Sequence, residues 1–219
     1  MLNFSMIYVY ENKYVVILVE GETDRVFYKA LIDYYRANSV AEIIGCEVYS
    51  VGGFGNFAGK AISKLKNGIK PKIEKSEGEV VAVACAYDTD VFEYAAIPPI
   101  DWIKVKRGVK DLGVDSFIEI KAKQMIEDWF LKDIEGLCSF LKIKYDGKSV
   151  VGKDGAKKMQ TLFKQANKVY QKGRYSQKFI DYLNIGKIRM TILDELSELE
   201  KVLNVKIISD ERGNNRQNK

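Results

Sequence analysis

Tyr14 to Asp24 read YVVILVEGETD, and the fold turns on this stretch. Its first six residues are apolar, mostly β-branched and without polar alternation, the pattern of a strand buried on both faces of a parallel sheet. The run stops abruptly at Glu20, Gly21 and a group of acids. A buried parallel strand delivers its carboxyl-end residues to the edge where ligands of open α/β folds bind, so Glu20 is a candidate for chemistry. Gly21 suits a sharp turn, and the Thr23 hydroxyl suits a cap on the helix DRVFYKALIDYYRA that follows. Glu22 reads as a partner of the helix dipole. Asp24, one helical turn after Glu20, either does the same or leans toward the strand edge.

The pattern repeats further along. Val80 to Asp90 read VVAVACAYDTD, seven apolar residues and then Asp88 and Asp90. Two residues apart in an extended segment, both carboxylates point the same way, and like charges held close are destabilising unless a cation lies between them. The competing reading is a pair of turn caps. Between these runs, CEVYSV at Cys46 to Val51 reads as a strand that ends in the loop GGFGNF. Gly52, Gly53 and Gly55 can cradle a phosphate at a helix start, although their spacing fits neither the Walker loop nor the dinucleotide fingerprint.

Composition narrows the chemistry. The 219 residues contain no histidine, which excludes Ser-His-Asp and Cys-His triads and His-ligated zinc. Acids, bases and metal ligands must then be carboxylates, lysines or tyrosines, and carboxylates favour magnesium or manganese. Cys46, Cys85 and Cys138 are far apart in apolar surroundings and read as reduced core thiols. Thirty-five Lys and Arg against 30 Asp and Glu give a formal charge of +5, compatible with a nucleic-acid partner. No apolar run approaches the roughly 20 residues of a membrane span, and MLNFSMIYVYENK lacks the regions of a signal peptide, so a cytoplasmic protein with no membrane partner is expected.

The remaining segments complete an outline. MIYVY near the start, the extended WIKVKR, SFIEIKAK at Ser116 to Lys123 and VKIIS near the end read as strands. Pro71 and KPKIEKSEGE read as the end of a helix and an exposed loop. From Gln124 the spacing turns helical, and Glu127 and Asp128 open that helix; acids there are usually dipole partners, so Glu127 needs independent support as a ligand. Lys142 to Lys187 is rich in lysine and aromatics. Leu162, Phe163, Ala166, Val169 and Tyr170 form a packing stripe, and Lys168, Lys172 and Arg174 are the candidates for contact with a nucleic-acid backbone. The expected division is a catalytic α/β domain at 1–145, a helical extension packed on it at 146–208, and a disordered polar tail at 209–219.

Three strand ends, VEGETD, SVGGFGN and YDTD, together resemble the Toprim fold of topoisomerases, primases and several nucleases. The VGG-x-GN loop is most similar to the branch found in OLD nucleases and small abortive-infection proteins of phage defence. The resemblance covers about residues 14 to 135 and implies a mostly parallel four-stranded sheet flanked by helices. It implies flavodoxin-like order, with the first and third strands adjacent and a crevice at their carboxyl ends. Glu20 would then be the catalytic glutamate, and Asp88 and Asp90 would hold divalent metal. Asp24 matches the acid one turn after that glutamate, and Glu127 in IEDWF matches a later glutamate supplying a second metal position. The implied activity is hydrolysis of DNA or RNA with magnesium or manganese at a two-metal site. Unlike OLD nucleases the chain carries no ATPase module, so a separately encoded ATPase is an expected partner, and VFEY after DTD lacks the third acid of many Toprim proteins. The rival reading is a non-catalytic Toprim-like subunit that binds nucleic acid or an ATPase. A phosphate-accepting receiver ranks last, because GGFGN has no role in one.

Overall fold

Along β1 (Lys13–Val19) successive side chains enter two different cores: Val15, Ile17 and Val19 face one, Val16 and Leu18 the other, and all five are fully buried. Burial on both faces is what an unbroken apolar strand requires, at about 1.5–3 kcal/mol for each large side chain. The computed structural model describes residues 12–90, 100–172 and 176–208. The reading of MIYVY, the segment after Asp90, Arg174 and the polar tail fall outside them.

The sheet has four parallel strands in the order β2 (Gly45–Ser50), β1, β3 (Glu79–Asp88), β4 (Ser116–Ala122). The first and third strands are neighbours, as expected for an α/β fold of Toprim-like type. Ala82, Ala84 and Ala86 of β3 make a low surface on which α1 (Glu22–Asn38) packs Phe27, Tyr28 and Tyr35. The same core takes in α5 (Ile126–Phe130), α6 (Ile134–Leu141), α7 (Gly155–Gln165), α8 (Ser176–Ile180), α9 (Ile185–Thr191) and α10 (Leu193–Leu203). The opposite face is covered by α2 (Lys60–Lys64), α3 (Lys70–Lys75) and α4 (Trp102–Lys110). No helix among the described residues is long and apolar enough to cross a membrane.

Several local expectations are corrected. WIKVKR is helix α4, not a strand: the Asp101 side chain caps it by accepting the Lys104 N–H at 3.0 Å, and Val105 and Val109 are buried at helical spacing. Ile103, which made the pattern look alternating, is 76% exposed. KPKIEK is also helical. Pro71 sits in the first turn of α3, directly after a wide π-helical turn at Leu65–Ile69 that moves the carbonyls its ring would meet. Residues 205–208 of VKIIS form no strand; they bond irregularly to Ser39 and Val40, with Ile207 buried. The helix cap position of α1 belongs to Gly21 and not Thr23, and no side chain caps it. Gly21 has ordinary extended angles; its missing Cβ matters because that atom would lie 3.2 Å from Asp24 Oδ2. Val169 is 77% exposed and leaves the packing stripe, since α7 stops at Gln165 and Asn167 turns into the left-handed region. The three cysteines are free thiols.

Candidate metal and nucleic-acid site

Glu20 is fixed first by its own backbone. Its carbonyl accepts the N–H groups of Gly52 and Gly53 at 3.1 and 2.8 Å and the Ser50 hydroxyl at 3.2 Å. Gly52 and Gly53 reach it by adopting φ of 79° and 123°, where a side chain would be strained. Two of the three glycines proposed as a phosphate cradle therefore spend their N–H groups holding Glu20 in place, while Gly55 lies in open space.

Asp88 arrives from β3. The alternation that turns Ala82, Ala84 and Ala86 toward α1 turns Asp88 the same way, and the Ile126 N–H at the start of α5 donates to its Oδ1 at 2.8 Å. Asp24 on α1 is 2% exposed, and Glu127 on α5 is 1% exposed. Asp90 follows in a turn whose N–H bonds the Gln124 carbonyl at 2.9 Å, and its charge reaches Glu20. Five carboxylates from four segments thus share the carboxyl edge of β1 and β3.

Their neighbours make the crowding costly. Burial, followed by the charges of Asp88, Asp24 and Asp90, pushes Glu20 up to about 7 against the opposing pull of Lys172. Burial and then Asp88 push Asp24 up to about 6. Asp88 is also raised by burial, with Lys172 opposing. Glu20 Oε2, Asp24 Oδ2 and Glu127 Oε2 are buried without a hydrogen-bond partner.

The counter-charge comes from a segment with no regular structure after α7. Lys172 Nζ lies 2.7 Å from Asp88 Oδ2 and 3.9 Å from Glu127 Oε2. Burial works against its charge, but Asp88, Glu127 and Asp24 overcome it and hold the ammonium more firmly protonated than an ordinary lysine. Tyr170, two residues earlier, donates its hydroxyl to Glu127 Oε1 at 2.8 Å. Burial and the Glu127 carboxylate keep that phenol protonated.

Sequence reasoning assigned Lys172 to the substrate and Tyr170 to a packing stripe; both enter the acid cluster itself. The available signal was their spacing, since Tyr170 and Lys172 stand two apart, as Asp88 and Asp90 do. Lys168 instead lies over the Phe140 ring, 4.9 Å from its centroid.

Among the described residues, no three of these side chains close on one point as a finished metal cage would. The ammonium of Lys172 takes up the space between Asp88 and Glu127. The donor set nevertheless suits a hard divalent cation, because it is all oxygen and three buried oxygens are unpartnered.

Comparison with known proteins places this geometry in context. No family model and no curated protein matches the chain. Two solved structures of the C-terminal region of the Xanthomonas campestris pv. campestris OLD protein are similar to it. The one phased with mercury is 18% identical, covers 83% of this chain and 97% of its own, and superposes with a TM-score of 0.36. The one phased with platinum is 19% identical, covers 84% and 96%, and has a TM-score of 0.33.

Proposed function

We propose that this protein is a divalent-metal-dependent nuclease that hydrolyses phosphodiester bonds at the Glu20 and Asp88 edge. One observation carries the reading: five carboxylates line the carboxyl edge of a parallel sheet, and three of their buried oxygens accept no hydrogen bond. That arrangement costs stability and gains nothing unless a cation completes it. Bound magnesium or manganese would supply charge neutralisation on the phosphate oxygens and a more acidic water.

The chain's own groups have separable tasks. Glu20, with a pKa of about 7, is matched to taking a proton from an attacking water near neutral pH. Asp88 is oriented by the Ile126 N–H and Glu127 by the Tyr170 hydroxyl; Glu127 Oε2 would be left for a metal, and Asp88 Oδ2 would be so once Lys172 releases it. Asp24 and Asp90 would complete the ligand set. Lys172, whose side chain is 40% exposed, stands where a phosphate would arrive and would exchange Asp88 for it. The likeness of VEGETD, SVGGFGN and YDTD to abortive-infection proteins extends the proposal to an effector of phage defence, with a separately encoded ATPase as regulator.

A second reading is favoured by the Lys172–Asp88 ion pair, which supplies an internal cation where a metal would otherwise be needed. On that reading the chain is a non-catalytic subunit that binds nucleic acid or an ATPase. Incubating wild type and Glu20→Gln with plasmid DNA, single strands and structured RNA in magnesium or manganese separates the two. The nuclease reading expects products from wild type that EDTA and the substitution both abolish. A folded wild type that cuts nothing, or cleavage that survives both Glu20→Gln and Asp88→Asn, overturns it.

A further inference from the structure

A cleft of about 690 Å³ runs along the outer side of β2, away from the acid cluster. Among the described residues β2 ends the sheet there and pairs with β1 alone. The Val51 N–H bonds the Val19 carbonyl at 2.8 Å, so by strand alternation the main-chain groups of Cys46, Val48 and Ser50 face outward. The Ser50 carbonyl is met by Lys64 Nζ at 2.7 Å.

Both walls of the cleft are basic. α1 contributes Arg25, Lys29 and Arg36, and the helices on the opposite face of the sheet contribute Lys64 and Lys72. Three carboxylates line it too, each with its own cation: Glu22 with Arg25, Asp33 with Arg36 at 3.1 Å and Glu47 with Lys72 at 3.1 Å. Lys29 and Lys64 have no carboxylate partner among the described residues, so five cations against three carboxylates leave the cleft positive. Between them the Tyr49 ring is only half-buried, with Lys64 Nζ and Lys72 Nζ 5.7 and 5.8 Å from its centroid. One end of the cleft touches the catalytic edge, because Ser50 lines it and also holds the Glu20 carbonyl.

We infer that this cleft is the track along which a single-stranded nucleic acid reaches Glu20, with Lys29 and Lys64 as its phosphate contacts. The inference rests on the nuclease reading of the Glu20 edge. Lysines without a carboxylate partner on opposite walls and a half-buried aromatic ring between them are the features that hold a single strand without reading its sequence. An acidic peptide would satisfy the lysines and the open strand edge, but nothing would direct it to the acid cluster.

The test measures binding apart from cleavage. Fluorescence anisotropy of a labelled 15-nucleotide single strand is followed in EDTA for wild type, Lys29→Ala/Lys64→Ala, and the control Lys66→Ala/Lys75→Ala, which removes the same charge from exposed positions outside the cleft. The expected result is about tenfold weaker binding at ~0.1 M salt for the cleft variant, with a salt slope shallower by roughly 1.4, and no change in the control. Unchanged affinity and slope, or an equal loss in the control, overturns the inference. So does polyglutamate binding that depends on Lys29 and Lys64 while oligonucleotide binding does not, which would make the cleft a peptide dock. If wild type binds through these lysines but cuts nothing with either metal, the nuclease reading fails and the binding track stands.

Discussion

Two charged clusters are buried against α1, one near each end, and they are built to opposite standards. At the carboxyl end, Arg189 is 2% exposed and grips Glu200 with two hydrogen bonds of 2.7 Å, while the Tyr35 hydroxyl adds a third at 2.6 Å. Donors and acceptors match, and the result ties α1, α9 and α10 together. At the amino end, five carboxylates crowd together, Lys172 pairs with Asp88 and Glu127, and three buried carboxylate oxygens accept no hydrogen bond. A fold selected only for stability would have resolved the second cluster as it resolved the first. The unresolved cluster is the one on which the proposed metal site rests.

The comparison breaks if the two clusters respond alike to mutation. Glu20→Gln or Asp88→Asn should lower metal-dependent cleavage on the order of 10²–10⁴-fold. The fold should survive, seen as an unchanged circular dichroism spectrum and a melting temperature no lower than wild type. Arg189→Ala should do the reverse, costing ~3–5 kcal/mol in a urea titration because the largely buried Glu200 loses its counter-charge. Arg189→Met/Glu200→Leu should regain most of that loss, which would identify the pair as structural.

Two smaller effects sharpen the contrast. Tyr170→Phe removes the hydroxyl that donates to Glu127 and should weaken magnesium or manganese binding roughly 10- to 100-fold by isothermal titration, with a stability loss of only ~1 kcal/mol. The second effect is on pH. Glu20 rises from 4.5 to about 7 and Asp24 from 3.8 to about 6, so each holds its proton more tightly folded than unfolded. Their contribution is complete below about pH 4 and lost as pH rises through about 7. Metal-free protein should therefore lose on the order of 1–3 kcal/mol between pH 4.5 and pH 7.5, and Glu20→Gln should flatten the slope. A stability curve that instead rises across that window would contradict the raised values.

The two kinds of error in reading the chain have one cause. WIKVKR alternates apolar and charged residues as a strand does, but Val105 found a surface to bury together with Val109 one turn later, and Asp101 capped the helix that let them do so. The Gly52 and Gly53 N–H groups looked available for a phosphate because the carbonyl they bond, that of Glu20, is more than thirty residues away in the chain. In each case a local pattern allowed two outcomes and a distant partner selected one.

What the sequence by itself determined is the set of uninterrupted apolar strands and the acids at their ends. Strands buried on both faces admit no polar residue until they leave the sheet, so the order of residues marks where the edge lies. Glu20, Asp88 and the parallel sheet were legible for that reason. Only the tertiary structure decided which cation and which hydroxyl meet those acids. Tyr170 and Lys172 lie on a segment without periodicity, more than eighty residues beyond Asp88 in the case of the lysine, and packing of α7 on α5 and α6 brings them in. Long-range electrostatic partners leave no periodic trace, because charge complementarity acts through space and not along the chain.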